Sequence, residues 1–347
     1  MGVPPIKKIQ PHSARANSNK QGFERALSLF KAAAHRVPAY KDFLKKARIK
    51  ADTVVTETDF AQIPHVSKTN YISKYDLRDL SWDGAFSSVK YMSSSSGSTG
   101  EPFYWPRGND QDVVVNLMFQ ELYQNIFKTT DTNTLCVNSF ALGTWIAGLE
   151  MYNATNWTAD RNNSIVTITP GIDQELAIKE IERFGSSFER IILSGYPPFV
   201  KDILELGKHL GIAWNKWDIC LLTGGESFTE AWRDHILELI GKQGDVSAFI
   251  NMFGMAETGI VGHETPKSIL LRRVLQKQSQ QKNRSTHDLD QVLALYQYYP
   301  IARYYEALED GSLILTTNAG LPLIRYDTRD QGGILDSKGI FNEFEDE

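Results

Sequence analysis

The sequence predicts an α/β fold, a mainly parallel sheet flanked by helices, and three observations carry that prediction. Short apolar runs alternate with stretches of helical length and periodicity through the middle of the chain, the pattern of strand-helix-strand units. The runs Thr134–Asn138, Arg190–Ser194 and Asp218–Leu222 read as buried strands. The loops richest in Gly, Ser and Thr each follow such a strand, and in parallel sheets ligands gather at the strands' carboxyl ends.

Taken in order, residues 1–20 carry Pro, Lys, Asn and Ser with little apolar content and read as a disordered basic arm. Residues 21–85 form a helical segment packed on the core. Phe23, Ala26, Leu27, Phe30, Ala33 and Ala34 lie at helical spacing, and Pro38 divides the stretch into two helices meeting at Val37–Tyr40. Phe60–Thr69 reads as a Pro-bounded turn with a helix start near Ser67. The core, 86–330, opens with the strand Ser88–Met92 and then Ser93-Ser-Ser-Ser-Gly-Ser-Thr-Gly-Glu-Pro102. Such a stretch is a flexible linker or a phosphate loop, in which glycines let successive N–H groups converge on an anion and hydroxyls add donors. Its place between a strand and the helix starting near Gly108 argues for the phosphate loop.

Further strands are predicted at Ser164–Thr169, Val246–Asn251 and Gly311–Thr317, and helices at Val113–Phe127, Asp173–Phe184, Phe199–Leu210 and Lys267–Gln281. Gly224 and Gly225 allow a planar ring to approach the backbone, and Glu226 either contacts that ring or caps the helix starting near Thr229. Arg272, Arg273 and Lys277 form a local basic patch that reads as a solvated face.

Composition bounds the function. At 347 residues with 41% hydrophobic and 23% charged side chains, the chain can bury a full core. A net charge of -5 argues against a general nucleic-acid binder. No apolar run reaches the ~20 residues of a membrane helix, and the N-terminus lacks a signal peptide's apolar core, so a cytoplasmic location is expected. Cys136 and Cys220 read as buried free thiols, with no metal-ligand spacing.

Three ordered motifs carry a resemblance. Ser95-Ser-Gly-Ser-Thr-Gly-Glu-Pro102 is not the Gly-x-x-x-x-Gly-Lys-Ser/Thr loop, nor is a kinase catalytic loop present. Together with Phe253-Gly-Met-Ala-Glu257 and Leu321-Pro-Leu-Ile-Arg-Tyr-Asp-Thr-Arg-Asp330, it resembles the adenylate-forming enzymes, the acyl-CoA synthetase superfamily. Within these the likeness is to the phenylacetate-CoA ligase branch and its capsule-biosynthesis relatives, over residues 22–265 and 296–333.

The resemblance implies the N-terminal-domain architecture of those enzymes and ATP-dependent activation of a small-molecule carboxylic acid as acyl-AMP. CoA, a carrier protein, an amine or a sugar then accepts the acyl group. It places phosphates on Ser95, Ser96, Gly97, Ser98, Thr99 and Gly100, and adenine at Gly224, Gly225 and Glu226 beside Phe253 and Gly254. Glu257 becomes the Mg²⁺ ligand, with Thr258 beside the α-phosphate and Thr99 the loop's catalytic donor. Asp330 takes the ribose hydroxyls, and Asn138, Phe140, Trp145 and Tyr196 border the acyl pocket. Plainer readings stand beside these: a loop carboxylate for Glu257, a turn-forming residue for Asp330, core aromatics for Phe140 and Trp145.

Three departures qualify the likeness. Glu101 stands where Lys is usual, and Arg329 where Gly precedes the Asp. Residues 331–347 read as a truncated hinge, because the chain ends seventeen residues past Asp330, where family members enter a C-terminal lid domain. A separate lid or carrier polypeptide is therefore an expected partner. These departures also allow a rival, a nucleotide-binding or scaffolding module of the same fold with impaired catalysis.

Overall fold

The computed structural model describes residues 15–95, 101–161, 164–281 and 294–335. In chain order, α1 (Arg15–Arg36), α2 (Pro38–Lys46), α3 (Glu57–Ala61) and α4 (Leu77–Leu80) precede a two-stranded ribbon of β1 (Tyr91–Ser94) and β2 (Tyr104–Arg107). Next come α5 (Asn109–Asn125), β3 (Thr134–Ser139), α6 (Ile146–Ala159), β4 (Ile165–Ile168), α7 (Gln174–Phe184), β5 (Arg190–Gly195), α8 (Pro197–His209), β6 (Ile219–Gly224) and α9 (Glu230–Leu239). The hairpin β7 (Phe249–Met255) and β8 (Gly259–His263), α10 (Pro266–Gln281), β9 (Gln297–Tyr298), β10 (Tyr304–Ala307), β11 (Ser312–Ala319) and β12 (Leu321–Gln331) complete it.

These elements form two compact units, neither continuous in sequence. One comprises residues 1–91, 106–111 and 299–347, the other 92–105 and 112–298. The expected division, a helical segment 21–85 followed by a core to 330, thus meets a different partition. Residues 299–335 belong with the N-terminal helices because Phe60 packs edge-on against both Phe23 (5.8 Å) and Tyr304 (6.2 Å), a long-range pairing that sequence spacing does not announce. The expected arm also shortens. Helix α1 already runs from Arg15, as polar residues extend a helix whose apolar stripe, beginning at Phe23, anchors it.

The second unit holds a seven-stranded sheet in the order β4-β3-β5-β6-β7-β8-β9. The strands from β4 to β7 pair in parallel; β8 and β9 are antiparallel additions. Strands β3 and β6 are buried at every residue, as strands covered on both faces must be. Burial pushes the Cys136 and Cys220 thiols up to about 11 and about 12, making both inert.

The first unit holds the antiparallel sheet β10-β11-β12. Register shifts along β11 and β12 flank Arg325 (φ 50°) and Arg329 (φ 66°). The stretch from Arg325 to Asp330, whose last residue also reads as turn-forming, is therefore an irregular strand, bent where the pairing with β11 shifts register. Arg329 occupies the left-handed conformation, which suits the glycine that the resemblance would place there. Arg325 donates through Nε to Glu306 (3.0 Å) and through a terminal nitrogen to the carbonyls of Ala61 and Ile63, capping the end of α3.

Gly320 (φ 89°) carries the sharpest steric demand in this unit. A Cβ there would lie 1.8 Å from the carbonyl oxygen of Pro106, and backbone cannot yield as a side chain does. Gly320→Ala is expected to destabilise the protein by about 2 kcal/mol, read as a lower urea midpoint. A Gly311→Ala control, which meets only a side-chain oxygen, should cost less.

Candidate active site

One lateral row of residues organises the second unit. Ser139 on β3 is level with Gly195 on β5, Gly195 with Thr223 on β6, and Thr223 with Asn251 on β7. This row marks the carboxyl ends of four parallel strands, where functional loops collect. Asn138 and Phe140, Tyr196, Gly224 to Glu226, and Phe253 each stand within three residues of it.

Local packing fixes the central turn. Gly225 adopts φ 99°, closed to other residues, and a Cβ there would touch the Tyr196 ring at 3.4 Å. The Tyr196 hydroxyl donates to the Glu226 carboxylate, and with this bond as the largest cause its pKa is raised. Glu226 does not cap α9. Thr229 does, accepting from the Trp232 N–H at 3.2 Å, because a hydroxyl immediately before the first helical residue reaches that donor and a carboxylate three residues earlier does not.

Asn251 is the hub. Its Oδ1 accepts from the Thr223 hydroxyl at 2.8 Å, and its Nδ2 donates to the Glu226 carbonyl at 2.9 Å and the Tyr296 hydroxyl at 3.2 Å. Tyr296 stacks on Phe253, ring centroids 5.4 Å apart and 22° from parallel, so Phe253 is one of an aromatic pair. Burial is the main cause of the raised Tyr296 pKa.

Glu257 and Thr258 lie in the turn between β7 and β8, both buried, with the Thr258 hydroxyl donating to the Gly259 carbonyl at 3.3 Å. Gly254 is pressed against that turn; a Cβ would lie 3.0 Å from the Gly259 oxygen. A carboxylate absent from the sequence reading, Glu150 on α6, receives the Ile260 N–H at 3.0 Å. Its only signal was a lone acid amid the apolar residues of α6.

The predicted pocket residues divide. Asn138 donates to the Gly148 carbonyl (3.0 Å) and accepts from the Phe140 N–H (3.2 Å), shaping the loop after β3. Phe140 is buried, whereas Trp145 is 47% exposed. Ser95 closes the neck of the serine-rich loop. Its N–H donates to the Phe103 carbonyl and its hydroxyl accepts from the Phe103 N–H, both at 3.0 Å. Ser96, Gly97, Ser98, Thr99 and Gly100 lie outside the described residues, and Asp330 belongs to the other unit, where its N–H donates to the Thr328 hydroxyl at 3.2 Å.

The basic patch predicted on α10 is not a solvated face. Arg272 is buried and pairs with Glu230 (3.0 Å) and Glu264 (3.5 Å); Arg273 pairs with Glu230 (2.8 Å) and Asp234 (2.7 Å), leaving Lys277 exposed. Arg233, fully buried, grips both Glu264 oxygens at 2.7 and 2.8 Å over the rings of Phe228 and Phe249. The acids that neutralise these arginines come from α9 and the end of β8, so a helix read alone looks basic. Glu264 also receives the Asn251 N–H at 2.9 Å, joining this ionic cluster to the central turn.

Beside it, His263 is wholly buried, its Nδ1 against the Glu264 carbonyl at 2.7 Å, and burial lowers its pKa to about 4. An unfolded histidine takes up its proton near 6.5, so this contribution is complete above that pH and is lost as pH falls from about 6.5 to about 4. The loss expected is roughly 3 kcal/mol, visible as a drop in urea midpoint between pH 7 and pH 4 that a His263→Gln variant shows less steeply.

No protein-family model and no curated protein matches the chain. Solved structures do. A crystal structure of an open conformation of 2-hydroxyisobutyryl-CoA ligase, in complex with 2-HIB-AMP and CoA, superposes with a TM-score of 0.66 at 15% identity, over 94% of this chain and 73% of that one. The same ligase in the thioesterification state, again with 2-HIB-AMP and CoA, gives 0.64 at 16% identity, over 91% of this chain and 63% of that one. In the postadenylation state with R3-HIB-AMP it gives 0.66 at 14% identity, over 93% and 66%. This chain spans from just under two thirds to about three quarters of those ligase chains. Across more than nine tenths of its own length, its fold is that of an acyl-CoA ligase.

Proposed function

We propose that the protein activates a carboxylic acid with ATP. A carboxylate oxygen attacks the α-phosphorus, the acyl-phosphate bond forms as the α–β anhydride breaks, and pyrophosphate departs. The observation that carries this reading is the convergence of Gly224–Glu226, Tyr196 and the Phe253–Tyr296 pair at the row of strand ends, in a fold shared with a ligase captured with an acyl-adenylate.

In this reading the adenine lies along the Gly224–Gly225 backbone beside Phe253 and Gly254. Ser95 to Gly100 surround the phosphates, Thr99 supplying a donor to the charge that develops there. A buried carboxylate on a tight turn suits a hard cation, so Glu257 would hold Mg²⁺, which when bound neutralises phosphate charge. Thr258 stands beside the α-phosphate, and Asn138, Phe140, Trp145 and Tyr196 border the acid. CoA is the favoured acceptor for the second step, since the ligase sharing this fold was crystallised with it; a carrier protein or separate lid polypeptide would complete the cycle otherwise.

A second reading, a nucleotide-binding module without catalysis, draws on Glu101 in the phosphate loop and on Arg329 in a left-handed conformation beside Asp330. ATP–pyrophosphate exchange across a panel of carboxylic acids separates the two. Exchange dependent on one class of acid is expected; nucleotide-induced thermal stabilisation with no exchange for any acid would favour the module.

A further inference from the structure

A second candidate site lies in the first unit, at the C-terminal end of α2. There a concavity of about 440 Å³ has Leu44 and Ile49 among its apolar lining and Lys41, Lys45, Arg48 and Lys50 at its exposed edge. That volume falls within the range of small-molecule sites. Although the whole chain has a net charge of -5, residues 31–50 hold seven lysines and arginines against one aspartate. The aspartate is already committed: Asp42 pairs with Lys46 at 2.6 Å and accepts from the Tyr75 hydroxyl at 2.7 Å. None of the four cations at the edge makes an ion pair among the described residues.

Backbone conformation supplies an independent observation. Arg48 has φ 59° directly after Ala47, the residue that caps α2. The Arg48 N–H donates to the Lys45 carbonyl and the Ile49 N–H to the Leu44 carbonyl, the closing pair that glycine normally completes. A side chain here is conformationally costly, and such outliers persist where the side chain serves a purpose. Its guanidinium adds a fourth cation to the same edge.

We propose that this concavity binds an anionic amphiphile: an alkyl or aryl body against Leu44 and Ile49, with a carboxylate or phosphate end held by Lys41, Lys45, Arg48 and Lys50. An apolar floor beneath cations that make no ion pair among the described residues suits a ligand carrying both features, and neither an inorganic anion nor a neutral detergent satisfies both. The inference is independent of the proposed catalysis.

Calorimetric titration of the full chain with decyl phosphate, decanoate, decyl maltoside and inorganic phosphate tests it. Saturable, salt-weakened binding of decyl phosphate or decanoate is expected, the stronger of the two identifying the anionic end, with none by decyl maltoside or inorganic phosphate. Lys45→Glu should weaken binding at least about tenfold. Arg48→Gly should weaken it while leaving the melting temperature equal or higher, since glycine relieves the left-handed strain. Binding that is unchanged in both variants, equal for the neutral detergent, matched by inorganic phosphate, or not detected at all overturns the proposal.

Discussion

Replacing Glu257 by Gln is expected to lower ATP–pyrophosphate exchange by about 10²–10³-fold, while the protein stays folded with an unchanged urea midpoint. The substitution keeps the volume of a buried side chain and removes one negative charge, so packing on the turn between β7 and β8 survives. Glu257 would hold a cation that offsets phosphate charge, and its own negative charge is what the substitution removes. Loss of exchange at saturating ATP, with the nucleotide still bound, would place the defect in the chemical step. A variant that exchanged as well as the parent would remove Glu257 from the mechanism.

Glu264→Gln is expected to cost about 3–5 kcal/mol of stability, the largest effect in the second unit away from the proposed chemistry. Two arginines with almost no solvent access, Arg233 and Arg272, face this carboxylate at 2.7 and 3.5 Å. Burial raises the Glu264 pKa, and the Arg233 guanidinium opposes that shift. Neutralising it strands buried positive charge and weakens the bond to the Asn251 N–H, which positions the turn around Glu226. Urea titration reads the loss directly. Lys277→Gln on the exposed side of α10 serves as the control and should change stability little.

Local pattern made the parallel sheet legible. The runs around Thr134, Arg190 and Asp218 became β3, β5 and β6 within two residues, because a buried strand needs an unbroken apolar run whatever surrounds it. Tyr196, Gly224 and Gly225 could be placed at strand ends for a related reason: the end of a parallel strand and a paired glycine leave local marks. Asn251, Tyr296 and Glu150 were missed because their roles arise from partners 25, 45 and 110 residues away. The ionic cluster was misread in the same way. The arginines of α10 look solvated until Glu230 and Glu264 are brought beside them. In the first unit, the register shifts that flank Arg325 and Arg329 come from pairing with β11, so a turn-forming reading of Asp330 was natural within a strand.

The most direct test of carboxylate activation is a crystal of the full chain grown with Mg·ATP and an acid that supports exchange. The account predicts acyl-adenylate density at the strand ends marked by Ser139, Gly195, Thr223 and Asn251, with adenine beside Phe253 and the Glu257 carboxylate on the metal. A nucleotide bound elsewhere, or a metal with Glu257 out of reach, would contradict it.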